Sequence, residues 1–169
     1  MDLLDLDGQQ LYFDEPMPEK VSQLLMQAAA AYGDGQAEGL LLRAFLYAPD
    51  NLSVLVALYR TYYYQHRLDE ASQVAKHALQ VVAERLDFPD DWRQVDLAEL
   101  SHAVLKSMGL VRFYLLTLKA DAYLYLRLGQ LEEGRARLRK VAELDPSDHF
   151  GATALLEMLT RCEYPSLVG

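Results

Sequence analysis

Histidine and cysteine side chains are the groups in this sequence whose spacing could indicate catalysis or metal binding. The histidines are scattered, and no two of them have the helical spacing of a metal-ligand pair: His66, His77, His102 and His149. The one cysteine, Cys162, can form neither an internal disulfide nor a metal site by itself. The sequence has no phosphate-binding loop, dinucleotide fingerprint or nucleophile elbow. We therefore expect a protein that is not an enzyme and that uses no metal and no cofactor.

Charge and hydropathy exclude further classes of function. The 169 residues carry a formal net charge of −9, whereas a nucleic-acid surface must be basic. The same negative charge disfavours binding to an anionic membrane surface. No secretory signal is visible, and charged residues interrupt the longest apolar stretch, 110–126. We expect a globular cytoplasmic protein that binds neither nucleic acid nor membrane.

Three segments of equal length share one pattern of small and large apolar residues: 18–51, 52–85 and 115–148. In the third segment, a helical pattern leads to a turn at Gly129, a Leu-x-Glu-Gly step at 131–134, a second helical pattern and Pro146. The second segment has His66 at the turn and a Leu-x-Glu-Ala step at 68–71. The first segment keeps the later half of the pattern, and its turn glycine, Gly33, falls one residue late. Each segment therefore predicts a pair of antiparallel helices, with N-caps at Asn51 and Asp69.

This period of 34 residues resembles the tetratricopeptide repeat family, in which each repeat is a helix–turn–helix unit. The sequence is most similar to the small three-repeat proteins of bacterial type. The resemblance implies an all-α fold, a right-handed superhelix of antiparallel helix pairs. It also implies a non-catalytic scaffold or adaptor that binds another protein or peptide.

The segments outside the repeats complete one domain over 18–169, preceded by an acidic N-terminal arm at 1–17. An insert at 86–114 begins as a loop, in which we expect Phe88 and Trp92 to hold the insert against the repeats. Asp96 and Glu99 then have capping-box spacing, which predicts a helix over 96–107. The next helix is expected over about 110–128. A capping helix is expected at about 148–161, which brings the total to about eight helices.

In the tetratricopeptide family, the first helices of successive repeats line a concave groove. Transfer of the groove positions to this sequence gives an aromatic and basic surface: Val56, Arg60, Tyr63, Tyr64, Lys119, Tyr123 and Arg127. Arginine forks suit carboxylates and tyrosines give rigid contact area, so the resemblance implies an acidic or aromatic partner. Two alternatives stay open at this point. The tyrosines could only pack within the fold, or the N-terminal arm could occupy the groove. The basic run at 135–140 is interpreted as a solvated face.

Two specialised functions also follow from resemblances. Chaperones of secreted translocator proteins resemble this chain in size, acidity and three-repeat build. Segments 11–21 and 54–71 resemble small repeat proteins encoded near bacterial nitrogen-fixation genes, which suggests an accessory factor in metalloenzyme assembly. An adaptor for chaperone tails is not expected, because its clamp positions hold Ser22, Met26, Ala57, Leu116 and Ala120. A homodimer is left open by the sequence.

Overall fold

The structure, a computed structural model, describes residues 15–31 and 35–163. Within these ranges the regular structure is helical and contains no strand, which confirms the predicted all-α class. The described helices are α1 (Glu19–Ala30), α2 (Ala37–Tyr47), α3 (Leu52–Tyr64), α4 (Leu68–Leu86), α5 (Leu97–Arg127), α6 (Leu131–Leu144) and α7 (Ala152–Glu163). A short 3₁₀ turn at Trp92–Gln94 precedes α5. None of these helices has the length and apolar character needed to cross a membrane.

Packing runs along the chain from each helix to the next. All the substantial helix–helix contacts join consecutive helices, from α1 with α2 to α6 with α7. The apolar side chains form two clusters: one spans α1 to α3 with parts of α4 and α5, and the other spans α3 to α6 with the start of α7. Phe45 and Val74 pack against both clusters and so join them. This neighbour-to-neighbour order is the packing expected of a helical repeat array.

The structure describes seven helices where about eight were predicted, because two predicted helices form one kinked helix. The segments predicted as separate helices, 96–107 and 110–128, run together as α5, with a break at Ser107 (φ −161°, ψ 101°). The predicted capping box is confirmed: the Asp96 carboxylate accepts from Glu99 N at 2.8 Å, and the Glu99 carboxylate accepts from Asp96 N at 3.0 Å. Ser107 Oγ accepts from Leu110 N at 3.2 Å, so it caps the second part of α5 without an intervening loop.

The helix starts and turns follow from local side-chain chemistry. Asn51 caps α3 as predicted, since its side chain accepts from Val54 N at 3.1 Å. The prediction of an N-cap at Asp69 is wrong, because α4 begins at Leu68 and Asp69 lies in its first turn. His66 and Gly129 occupy equivalent turns and both have positive φ, 58° and 78°. The first-repeat turn at Gly33 lies outside the described residues.

The insert packs against the helices on either side of it. Phe88 is buried, and its ring meets the Tyr114 ring edge-on at 5.0 Å. Trp92 lies against Arg137 of α6, with the guanidinium carbon 5.3 Å from the ring centre. Leu100 of α5 is also buried in this cluster. These contacts agree with the expectation that Phe88 and Trp92 hold the insert in place.

Candidate protein-binding surface

Five of the seven predicted groove residues come together on one surface, which we call the tyrosine–arginine cluster: Arg60, Tyr63 and Tyr64 of α3 with Tyr123 and Arg127 of α5. Positions 60, 63 and 64 share a face of α3 because residues three and four apart are neighbours on a helix. Positions 123 and 127 share a face of α5 for the same reason. The sequence therefore positions each half of the cluster locally, and the packing of the helices joins the halves.

Contacts among the tyrosine rings and the guanidinium groups hold this cluster together. The Tyr63 and Tyr64 rings meet nearly at right angles, 5.5 Å apart, and the Tyr63 hydroxyl hydrogen-bonds to Tyr123. The Arg60 guanidinium lies 5.9 Å from the Tyr64 ring centre, and Arg127 lies 5.9 Å from the Tyr123 ring centre. Such cation–π pairs orient the guanidinium groups beside a rigid aromatic surface.

The electrostatics of the cluster favour recognition over acid–base chemistry. Arg60 and Arg127 supply its charge, and none of its five members is acidic. Burial raises the pKa of Tyr63, and the neighbouring Tyr123 raises it further. The Tyr63 hydroxyl is therefore neutral near pH 7 and acts as a hydrogen-bonding group. Tyr64 is 48% exposed and Arg127 is exposed, so both can contact a second molecule.

An apolar pocket adjoins the cluster. It has a volume of about 470 Å³ and lies between α1, α2 and α3, with Leu25, Ala29, Leu41, Ala57 and Arg60 among the residues of its wall. Arg60 belongs to both the pocket and the cluster, which makes the two surfaces continuous. The pocket is large enough for an apolar side chain, and Arg60 at its edge can bind a carboxylate.

The other two predicted groove residues lie elsewhere. Val56 is 4% exposed and packs in the hydrophobic core, because α3 is covered on most of its circumference and its free face is narrow. Lys119 is half-buried, and its ammonium donates a hydrogen bond to the backbone oxygen of Phe150, before α7. Val56 offers no contact surface, and Lys119 is directed towards the α6–α7 connection.

A buried polar group that the sequence analysis missed lies between α4, α5 and α6. The sequence predicts a solvated face for the basic run at 135–140, but this prediction is wrong for Arg137, whose side chain is 7% exposed. Its Nε donates to Asp121 Oδ2 at 2.8 Å, and Ser72 Oγ donates to Asp121 Oδ1 at 2.8 Å. Burial raises the pKa of the Asp121 carboxyl, while these two hydrogen bonds oppose the rise.

The remaining contacts of Arg137 indicate that this buried group is structural. Its guanidinium lies 3.8 Å from the Tyr125 ring centre, and its Nη1 donates to the Glu133 carboxylate at 2.8 Å. Both carboxylate oxygens of Asp121 already accept hydrogen bonds. The arrangement ties three helices together and presents no free nucleophile or base. Among the residues that the structure describes, no three acidic, histidine or cysteine side chains are grouped to hold a metal ion.

Comparison with known proteins gives one clear relative. No protein-family model matches the chain, and no solved structure matches it. The chain is 48% identical over 159 residues to a curated Azotobacter chroococcum mcd 1 protein described as "Uncharacterized 19.8 kDa protein in nifW 5'region". The alignment covers 94% of this chain and 89% of the relative. The chain belongs to the family of that 19.8 kDa protein.

Proposed function

We propose that this member of the 19.8 kDa protein family is a non-catalytic scaffold of the tetratricopeptide type. In this proposal the helix pairs form a right-handed superhelix, and α1, α3 and the second part of α5 line its concave face. Support comes from the repeating sequence period and the consecutive packing of the helices. The small residue at each Leu-x-Glu step also supports the proposal: Ala71 and Gly134 are both buried, and Gly134 lies where α6 closely approaches α5.

The partner is a protein or peptide that presents an acidic group beside an apolar or aromatic side chain. The carrying observation is the position of Arg60, which borders the apolar pocket and also lies against Tyr64. A partner side chain in the pocket would therefore bring a neighbouring carboxylate to the Arg60 guanidinium. Arg127, on the other side of the cluster, offers a second carboxylate site. Loss of one partner of a desolvated charged hydrogen bond costs about 2–5 kcal/mol, so the two arginines can dominate the affinity.

A more specific role, as an accessory factor in nitrogen fixation, is a second proposal. The Azotobacter relative is described as a protein of the nifW 5′ region. Two segments of this sequence also resemble repeat proteins encoded near such genes. In this proposal the bound partner is a protein that assembles or matures the nitrogen-fixing metalloenzyme, and the scaffold brings it together with another component.

Affinity capture with matched variants tests both proposals. Tagged wild-type protein would be isolated from its native cells, grown with and without fixed nitrogen, and its bound proteins identified. The test variant is Arg60→Ala with Arg127→Ala. The control is Arg43→Ala with Arg139→Ala, which makes the same charge change at exposed positions on α2 and α6. Circular dichroism and thermal melting of each variant check that the fold is intact.

We expect a partner that copurifies with the wild type and the control but is lost from the test variant. Retention of the same partner by a folded test variant would contradict the scaffold proposal. A partner that is present only without fixed nitrogen, and that belongs to the metalloenzyme pathway, would support the accessory role. A partner from an unrelated process would contradict that role and leave the scaffold proposal intact.

A further inference from the structure

We propose that residues 1–14 bind the tyrosine–arginine cluster and its apolar pocket as an internal ligand that competes with the partner. This inference rests on the proposed function, because it names a ligand for the same surface. Three observations carry it: the place where the described chain begins, the distance from there to the cluster, and the chemistry of the segment.

The described chain begins at a residue that is fixed to the start of α3. The Glu15 carboxylate accepts a hydrogen bond from Leu52 N at 3.0 Å, and its other oxygen pairs with Arg85 at 2.5 Å. The Glu15 side chain is 14% exposed. Leu52 is the first residue of α3, the helix that carries Arg60 and two of the tyrosines. The described chain therefore begins beside the helix that carries the binding surface.

The distance from this anchor to the cluster is short. Arg60 lies eight residues after Leu52 in α3, which is about 12 Å along the helix axis. Tyr64 lies about 18 Å along the same axis. An extended segment of 14 residues spans up to about 46 Å. Residues 1–14 can therefore reach both halves of the cluster while Glu15 keeps its contacts.

The segment has the chemistry that the surface selects. Its charged residues are all acidic, whereas the charged residues of the cluster are Arg60 and Arg127. Its apolar residues suit the pocket of about 470 Å³ between α1, α2 and α3. The acidic residues of the segment are Asp2, Asp5, Asp7 and Asp14, and its large apolar residues are Leu3, Leu4, Leu6, Leu11, Tyr12 and Phe13. This is the combination of carboxylate and apolar group that the site is proposed to bind.

Tethering makes such a ligand effective even when its intrinsic affinity is low. A short flexible tether gives an effective concentration in the millimolar range. A segment that binds in trans with a dissociation constant of about 100 μM would then occupy the surface about 90% of the time. The apparent affinity of a partner would fall about tenfold. The segment would therefore prevent weakly binding proteins from occupying the surface, while a tightly binding partner would still displace it.

Peptide titration of full-length proteins tests this inference. The probe is a fluorescein-labelled peptide with the sequence of residues 1–14, and its binding is followed by fluorescence anisotropy. Two full-length variants weaken the internal copy: Asp5→Asn with Asp7→Asn, and Leu4→Ser with Leu6→Ser. A third protein combines the first variant with Arg60→Ala and Arg127→Ala. A peptide of scrambled sequence is the control probe.

We expect the peptide to bind each of the first two variants about tenfold more tightly than it binds the wild type, and to lose that gain in the third protein. Equal affinity for the wild type and both variants, or binding that is unaffected by the arginine substitutions, would overturn the inference. The outcome is separable from the proposed function. A partner that requires Arg60 and Arg127 while the peptide does not bind would refute the internal ligand alone. Peptide binding at the cluster with a partner that ignores both arginines would refute the scaffold proposal alone.

Discussion

Arg137 of α6 donates from its Nε to Asp121 Oδ2 of α5 at 2.8 Å, with the two side chains only 7% and 1% exposed. The pair connects α5 with α6, and Ser72 Oγ of α4 donates to the same carboxylate, which extends the connection to a third helix. Removal of one charge from such a pair leaves the other charge buried without a partner. This lowers the free energy of unfolding more than removal of both charges does.

We therefore predict that Arg137→Met lowers the free energy of unfolding by about 3–5 kcal/mol. The double variant, which adds Asp121→Leu, should recover most of this loss because it leaves no unpaired charge. Urea unfolding followed by circular dichroism measures both values. Arg139→Met is the control and should change the unfolding free energy by less than about 0.5 kcal/mol, since Arg139 is exposed. A double variant that is no more stable than Arg137→Met would contradict the assignment.

Gly134 of α6 lies so close to α5 that it has no room for a side chain. A Cβ at this position would lie 2.7 Å from Leu126 side-chain atoms and 2.9 Å from the Ala122 backbone oxygen. We predict that Gly134→Ala lowers the unfolding free energy by about 1–3 kcal/mol, because the backbone contact cannot yield without moving α5. Gly39→Ala on α2 meets open space and should be neutral or stabilising by up to about 1 kcal/mol. Thermal melting of both variants compares the two effects, and equal melting temperatures would count against the close approach.

The two turns with left-handed backbone should respond in opposite ways to substitution. His66 has φ of 58°, which glycine adopts more easily than histidine, so His66→Gly should raise the unfolding free energy by up to about 1 kcal/mol. Gly129 has φ of 78°, and Gly129→Ala should lower the unfolding free energy by about 1–2 kcal/mol through backbone strain alone, since nothing lies within 4 Å of its added Cβ. Chemical denaturation of the two variants gives both values. A loss of stability in His66→Gly would show that the imidazole makes a contribution larger than its strain.

Tyr64 should be an anchor for the partner. It is 48% exposed in the tyrosine–arginine cluster, whereas Tyr47 is 52% exposed on α2, where it contacts Lys20. Tyrosines at the centre of an interface often cost about 2 kcal/mol or more when truncated. We predict that Tyr64→Ala weakens partner binding about 30-fold and that Tyr47→Ala leaves it unchanged, as measured by isothermal titration calorimetry with the captured partner. Similar effects from both substitutions would place the interface elsewhere.

The helices could be predicted because their signals are local. The repeated pattern of apolar residues fixed the pairs, and the capping box at Asp96 and Glu99 located the start of α5. The sequence also predicts a helix end at 107, where the break at Ser107 lies. It does not show that a single non-helical residue, with no loop, separates the two segments. The two segments could therefore be separated in sequence but not recognised as one kinked helix.

The buried ion pair was missed because a run of basic residues was interpreted as one unit. On α6, position 137 lies one turn from both 134 and 141, so Arg137 falls on the same stripe as Gly134 and Val141, which are buried. Asp121 is an acidic residue on the apolar side of α5. Each signal is visible in the sequence, but their pairing depends on how α5 and α6 pack. The tyrosine–arginine cluster was also only partly predictable. Each half of it follows from helical spacing, whereas the contact of Tyr63 with Tyr123 depends on how the helices pack.

The unequal lengths of the second helices have a consequence for insertions and deletions in this family. α4 has 19 residues and α2 has 11, so α4 extends about two turns further. The apolar end of that extension, Leu86, is buried with Phe88 and Leu100 of the insert. The length of α4 and the presence of the insert should therefore change together among relatives. A relative without the insert should also have a shorter α4, or polar residues in its last two turns, and one that lost the insert alone would expose an apolar end.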